Sequence, residues 1–269
     1  PSDFYKENFN DKAWSLIPVP SNWEMQGYGD KLFRNVHAPF KANPPFVPKE
    51  YNPTGAYRKT FTLPASWEND QVFLRLEKVA SASFVWVNGQ AIGYNEGAQE
   101  PAEYNITKYL KPGEKNTLAV RLENLPESSR WYPGAGLYRN VHLIITEDAY
   151  IPVWGTYITT PSVNEKFAKV NVRTKVVLPE GADPAKYSVE TSVWNPNKQK
   201  LTAVRTSLAQ MKYNNNQAEQ EFVIQAPSLW SPEMPALYSA ETRLYEGDKL
   251  KDIYTTPFGI RSIEIIPDK

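Results

Sequence analysis

The stretch from Phe84 to Leu110, FVWVNGQAIGYNEGAQEPAEYNITKYL, decides how this chain is read. Phe84-Val85-Trp86-Val87 alternates as a half-buried strand does. Asn88-Gly89 then reverses the direction, because both residues tolerate the positive φ that a tight type I′ turn requires. Ala91-Ile92-Gly93-Tyr94 reads as the return strand. Asn95, Glu96, Gln99 and Glu100 follow as a polar loop closed by Pro101. Pattern alone supports a hairpin carrying a solvated loop.

The same rhythm extends outward. Segments 55–63, 71–77, 117–122 and 140–145 alternate and are punctuated by turn residues, which predicts a β-sandwich or jelly roll. His142 falls inside the last of these strands, so a structural role is expected for it. Upstream, Asp11–Trp14 suggests a short strand, and Pro18 and Pro20 fix a crossing behind it. Pro44, Pro45 and Pro48 impose an extended path on 43–48. No amphipathic helix of more than three turns is visible.

Glu147–Pro152 is the expected boundary, where the chain leaves a strand, turns polar and restarts. Beyond it, 153–257 holds about seven strand-like segments, the clearest at 169–177, 187–194, 203–212, 218–224, 238–245 and 249–255. Asn214-Asn215-Asn216 and Glu246-Gly247-Asp248 read as turns between them. Seven strands in such a length is an immunoglobulin-like pattern, and the missing cysteine pair favours the fibronectin-like sort.

Composition removes several function classes. The 269 residues carry 30 basic and 30 acidic side chains, so no net charge favours nucleic acid or an anionic membrane. No run approaches the ~20 apolar residues that span a bilayer. Without cysteine there is no disulfide or thiolate metal site, and two isolated histidines, His37 and His142, argue against a histidine metal centre or a Ser-His-Asp triad. Eight Trp and 16 Tyr suit β cores and also sugar platforms, since a pyranose presents an apolar C–H face. The chain opens at Pro1 with no signal-like segment, so it reads as a piece of a longer protein whose address, bacterial periplasm or cytoplasm, is not encoded here.

Five segments in order carry a resemblance: PVPSNWEMQGYG (18–29), NPTGAYRKTFTLP (52–64), the Asn88-Gly89/Gly93-Tyr94 stretch with its Pro101-Ala102-Glu103 sequel, GLYRNVHL (136–143) and FGIRSIE (258–264). Together they resemble the N-terminal part of glycoside hydrolase family 2, on its large β-galactosidase branch. Leu229-Trp230-Ser231-Pro232 is similar to an element of that family's second domain. The resemblance implies an all-β chain: a jelly-roll sugar-binding domain over 1–148, an immunoglobulin-like sandwich over 149–260, and at 261–269 the start of a linker into a catalytic (β/α)₈ barrel. The family's two active-site glutamates belong to that barrel, so no catalytic residue is expected here. The implied partners are a β-galactoside or related oligosaccharide and the chain's own barrel. Mg²⁺ and Na⁺ are implied for full-length members, with no cofactor in this part. Homo-oligomer formation through exposed sheet edges is a further expectation.

By motif match the resemblance assigns Asn88 to the sugar pocket, where its amide would both donate to and accept from a hydroxyl. The residue pattern alone leaves Asn88 as a turn former. If the amide serves the barrel, its removal should leave the stability of this chain nearly unchanged. A pocket aspartate of the family has no counterpart in 126–136, where Glu127 or Arg130 would replace it. Ala98-Gln99 stands where Ser-Arg is common, which weakens galactose relative to other β-glycosides. Two other readings compete: a stand-alone carbohydrate-binding module and a structural tandem of β domains. The Asn105-Ile106-Thr107 glycosylation pattern is read as accidental, because the family has Asp at its first position.

Overall fold

The computed structural model describes residues 2–29, 54–79, 82–97, 100–123, 134–210 and 217–264. The chain divides into two units, 1–145 and 146–269. Both are built from antiparallel strands, and the helices among the described residues are 3₁₀ turns of three or four residues.

In the first unit, β1 (Thr54–Thr62), β2 (Gln71–Leu76), β3 (Ala82–Val87), β4 (Gln90–Asn95), β5 (Ala102–Asn105), β6 (Lys115–Glu123) and β7 (Val141–Thr146) form two sheets, ordered β1-β6-β3-β4 and β5-β2-β7. Alternation places Val72, Leu74 and Leu76 of β2 against Val85 and Val87 of β3 and Val120 and Leu122 of β6. Each such aliphatic side chain contributes about 1.5–3 kcal/mol when fully buried. The expected strands are present, with ends within two residues of the reading.

One expectation fails and one strand goes beyond the reading. Ala102–Asn105 pairs with β2 through Leu76↔Ala102 and Leu74↔Tyr104. It is too short for alternation to show, and its outward residues, Glu103 and Asn105, are polar. Asp11–Trp14 is a turn, not a strand: Trp14 N donates to Asp11 O at 2.9 Å. This segment is held by side chains, with Arg58 Nε donating to Asp11 Oδ2 at 2.8 Å and Trp14 stacked on Phe4. The Val19–Pro20 bond in the proline crossing is cis. Residues 43–48 lie outside the described residues.

The second unit contains β8 (Thr156–Val163), β9 (Phe167–Lys175), β10 (Tyr187–Trp194), β11 (Lys200–Ser207), β12 (Gln217–Gln225), β13 (Tyr238–Glu246) and β14 (Lys249–Phe258). Its sheets are ordered β11-β10-β13-β14 and β12-β9-β8, the two-layer architecture of an immunoglobulin-like sandwich. Inward residues of β9 and β12, among them Ala168, Val170, Val172, Phe222 and Ile224, meet Val193, Tyr238 and Ala240 of the other sheet. β11 ends five residues short of the reading, because Leu208 turns inward on a 3₁₀ turn and is buried. Gly247-Asp248 closes the β13–β14 hairpin, with Gly247 at φ 57°. The Asn214–Asn216 turn lies outside the described residues.

The leading segment of this unit is strapped to β14 by side chains. Lys251 Nζ reaches Glu147 Oε2 at 2.6 Å and Asp148 Oδ1 at 2.8 Å. Asp252 Oδ2 accepts from Ile151 N at 2.8 Å, and Tyr254 Oη accepts from Trp154 N at 2.9 Å. Burial disfavours charge on Lys251, but the two carboxylates outweigh it and hold its pKa above the ordinary value. Asp252, accepting only backbone N–H groups, is pushed up by burial.

Candidate functional site

Asn88 sits at the tip of the β3–β4 hairpin with φ 50°, followed by Gly89 at φ 79°, the paired positive values that a type I′ turn needs. Its side chain points into the unit and is 6 % exposed. Nδ2 donates to Tyr109 O and to Asn116 Oδ1, both at 2.8 Å, while Oδ1 accepts from Thr117 N at 2.8 Å. Asn116 is engaged in turn, donating to Lys111 O and Glu114 O and accepting from Lys111 N. Both Asn88 amide hydrogens are therefore used inside the sandwich. Contact with a sugar would require the amide to leave these bonds, and three buried hydrogen bonds argue against the expectation that its loss is harmless to stability. Asn116, the partner, was hidden in sequence as one polar residue among strand residues.

The register of β6 separates what the sequence reading grouped. Asn88 pairs with Thr117, its N–H donating to Thr117 O at 2.9 Å. Glu123, after which the chain runs on to Glu127 and Arg130, pairs with Thr54 and Ala82 at the other end of β6. Six residue steps separate those levels, about 20 Å at ~3.4 Å each. The hairpin tip and the start of the 124–133 segment thus leave opposite ends of one sheet. Glu127, Arg130 and Ala98-Gln99 lie outside the described residues.

At the Glu123 end, side chains on the outward face of the sheet gather into a polar-aromatic row. Phe84 is paired with Tyr94 on β4 and with Arg121 on β6. The Phe84 and Tyr94 rings lie 4.6 Å apart, the Arg121 guanidinium covers Phe84 at 4.3 Å, and Arg121 Nη2 meets Glu123 Oε1 at 2.9 Å. Tyr94, 48 % exposed, donates its hydroxyl to Glu96, and that bond pushes its pKa up to about 12. Exposed ring faces beside carboxylates and a guanidinium suit sugar C–H faces and hydroxyls. In sequence these residues read only as strand positions.

A buried carboxylate fastens the chain nearby. Trp23 N donates to Ala135 O at 3.0 Å and Ser21 N to Leu137 O at 2.9 Å. Both oxygens of Glu24, 7 % exposed, accept from Ala135 N at 3.0 and 2.9 Å. Trp23 is a core residue. Its ring lies on Gly55, where an added Cβ would come within 2.2 Å of it. Gly136, at φ 126°, passes so close to Ser21 O that a Cβ would stand 2.8 Å away. Burial and the Glu24 charge push the Tyr57 hydroxyl up to about 12, burial being the larger effect.

His142 is a surface residue, its ring half-exposed and 3.3 Å from Glu77. Asn105 donates to Gln71 Oε1 and accepts from Thr107 N. Among the described residues, no three His, Cys, Asp or Glu side chains are grouped to hold a metal ion.

Comparison with known proteins places this geometry. The profile described as "Glycosyl hydrolases family 2, sugar binding domain" matches residues 4–147, and that of "Glycosyl hydrolases family 2" matches 150–261. A β-galactosidase of Priestia megaterium is 30% identical over 98% of this chain and 26% of its own length. One of Bacteroides ovatus is 31% identical over 96% of this chain and 29% of its own. Among solved structures, a family 2 member from Bacteroides cellulosilyticus superposes with a TM-score of 0.82 at 26% identity, over 98% of this chain and 34% of that one. A β-glucuronidase of Bacteroides uniformis superposes at 0.77 with 25% identity, over 96% and 30%. The chain thus spans about a quarter to a third of the proteins it matches. With matches that together run from residue 4 to residue 261, the chain belongs to glycoside hydrolase family 2.

Proposed function

We propose that this chain is the non-catalytic N-terminal part of a retaining β-galactosidase that removes terminal β-D-galactosyl units. Its two sandwiches support a catalytic barrel, and the Glu123 end of the first unit shapes the substrate pocket. The observation that carries this reading is the 30% identity to a β-galactosidase across 98% of this chain. Retaining chemistry needs two carboxyl groups about 5–5.5 Å apart, supplied in this reading by the barrel. The sugar contacts assigned by resemblance to Glu127 and Arg130 belong to the same reading, while Asn88 serves it from inside by fixing the hairpin. Mg²⁺ and Na⁺ belong to this reading as ions of the whole enzyme.

A second reading, a β-glucuronidase, is favoured by the structural match to the Bacteroides uniformis enzyme. The two are separated by assaying the protein encoded by the whole reading frame on aryl β-D-galactoside and aryl β-D-glucuronide. Galactoside turnover with retained anomeric configuration is expected, together with no turnover by the 269-residue chain alone. Preference for the glucuronide would replace the first reading by the second, and turnover by the chain alone would place chemistry within it.

A further inference from the structure

The outward face of β12-β9-β8 in the second unit carries a small grid fixed by strand register. Tyr157 pairs with Arg173 and Arg173 with Glu219; one step along, Thr159 pairs with Asn171 and Asn171 with Glu221. A cavity of about 300 Å³ is lined by these six side chains. That volume is at the small end for ligand pockets. Tyr157 is 63 % exposed, although it lies on a strand whose neighbours bury their apolar groups. Arg173 Nε donates to Glu219 Oε1 at 2.9 Å, and Lys169 Nζ meets Glu221 at 3.4 Å. The Arg173 guanidinium and the Glu219 carboxylate are thereby oriented toward one another, and Lys175 adds an exposed cation further along β9.

Tyr157 and Thr159 also border a second, larger cavity of about 800 Å³ on the other side of β8. Trp230 and Arg261 line it, the guanidinium 4.8 Å from the indole, along with the hydroxyls of Thr160 and Ser262. Close packing of Trp230 on Gly259, whose added Cβ would come within 2.9 Å, holds the indole in place. Two aromatic rings thus stand on either side of one edge strand, each beside hydroxyl, amide or guanidinium groups.

We propose that this surface is a second saccharide-binding site, taking a neutral oligosaccharide that crosses β8 from the Tyr157 grid to the Trp230 cleft. The exposed Tyr157 ring matches the apolar face of a pyranose, Asn171, Arg173 and Glu219 match its hydroxyls, and Trp230 holds Arg261 in the cleft as a further donor. Two joined cavities call for more than one sugar unit. The oligosaccharide class rests on the glycosidase reading above, but the site lies in the second unit and needs no barrel.

The test uses the 269-residue chain and a β-linked galactotetraose, read by isotope-edited NMR and calorimetry, with free galactose and sucrose as controls. Shifts confined to β8, β9, β12 and the residues around Trp230 and Arg261 are expected, stronger for the tetraose than for galactose, with affinity at least tenfold weaker in Tyr157→Ala and in Asn171→Ala. Both side chains face outward, so each variant should melt as the parent chain does. The proposal is overturned by absence of binding at about 10 mM tetraose, a ceiling that covers millimolar sites. Equal response to sucrose, or unchanged affinity in both variants, overturns it too. Because no hydrolysis is measured, failure here leaves the β-galactosidase reading standing, and failure of that reading in the whole-enzyme assay does not remove binding seen here.

Discussion

The side-chain amides of Asn88 and Asn116 are joined inside the first sandwich, Asn88 Nδ2 donating to Asn116 Oδ1 at 2.8 Å across 28 positions of sequence. This bond ties the β3–β4 turn to the start of β6. Asn88 thus combines a left-handed backbone with a buried three-bond clasp.

Asn88→Ala should therefore destabilise the first unit by about 3 kcal/mol, three hydrogen bonds at ~1 kcal/mol each. For a unit of this size the melting temperature falls by about 10 °C. Asn88→Gly loses the same bonds but keeps the positive φ, so it should be milder by about 1 kcal/mol. Calorimetric melts of the three proteins check this, and an Asn88→Ala variant melting with its parent would return the residue to a simple turn role.

Gly55 is the floor on which Trp23 lies. An added methyl would have to displace the ring, so Gly55→Ala should cost about 1–3 kcal/mol by overpacking. If the clash is with Trp23, the Trp23→Leu/Gly55→Ala double variant should lose at least ~1 kcal/mol less than the sum of the singles. Urea unfolding of the four proteins measures the coupling. Strict additivity would show that the damage arises elsewhere.

Glu24 fastens Ala135 through a buried carboxylate. Glu24→Ala strands the Ala135 N–H and should cost about 2 kcal/mol. Glu24→Gln keeps an acceptor for it and removes a buried charge, so its stability should stay within ~0.5 kcal/mol of the parent or exceed it. Equal losses in the two variants would mean that the negative charge, not the acceptor, holds the segment.

The Lys251 latch makes the second unit's stability depend on pH. Hydrogen bonds from Lys251 hold the Glu147 and Asp148 pKa values below their ordinary 4.5 and 3.8. On acidification the unfolded chain takes up these protons first. The stabilisation is therefore present above the ordinary values and lost as pH falls through the lowered ones. Lys251, held above its ordinary 10.5, gives a contribution that is complete below that value and lost as pH rises through the folded one. Asp252, pushed up by burial, acts oppositely to its neighbours, favouring the fold while protonated. Lys251→Met should cost only about 1 kcal/mol at neutral pH, because solvent screens the half-exposed carboxylates. It should also flatten both limbs of a melting-temperature profile. An unaltered acid limb would show that other carboxylates set it.

The sequence by itself determined the strand content and the family. Alternation in β2, β3, β9 and β12 is imposed by one buried face, so it is written locally, and the Asn88-Gly89 turn is demanded by its own backbone angles. Short pieces without that periodicity escaped: Ala102–Asn105 is a strand only because β2 lies beside it, and Asp11–Trp14 is a turn because its partners are Arg58 and Phe4. The direction of the Asn88 amide was likewise decided by tertiary structure. A turn asparagine can serve solvent, ligand or core, and Tyr109 O, Asn116 and Thr117 settle the matter from positions 21 to 29 residues away. The level of the hairpin tip was also decided by tertiary structure, since the nine paired residues of β6 set Asn88 and Glu123 near opposite ends of one sheet. Local periodicity is carried by neighbours in the chain; where a polar side chain points depends on which strand folding brings beside it.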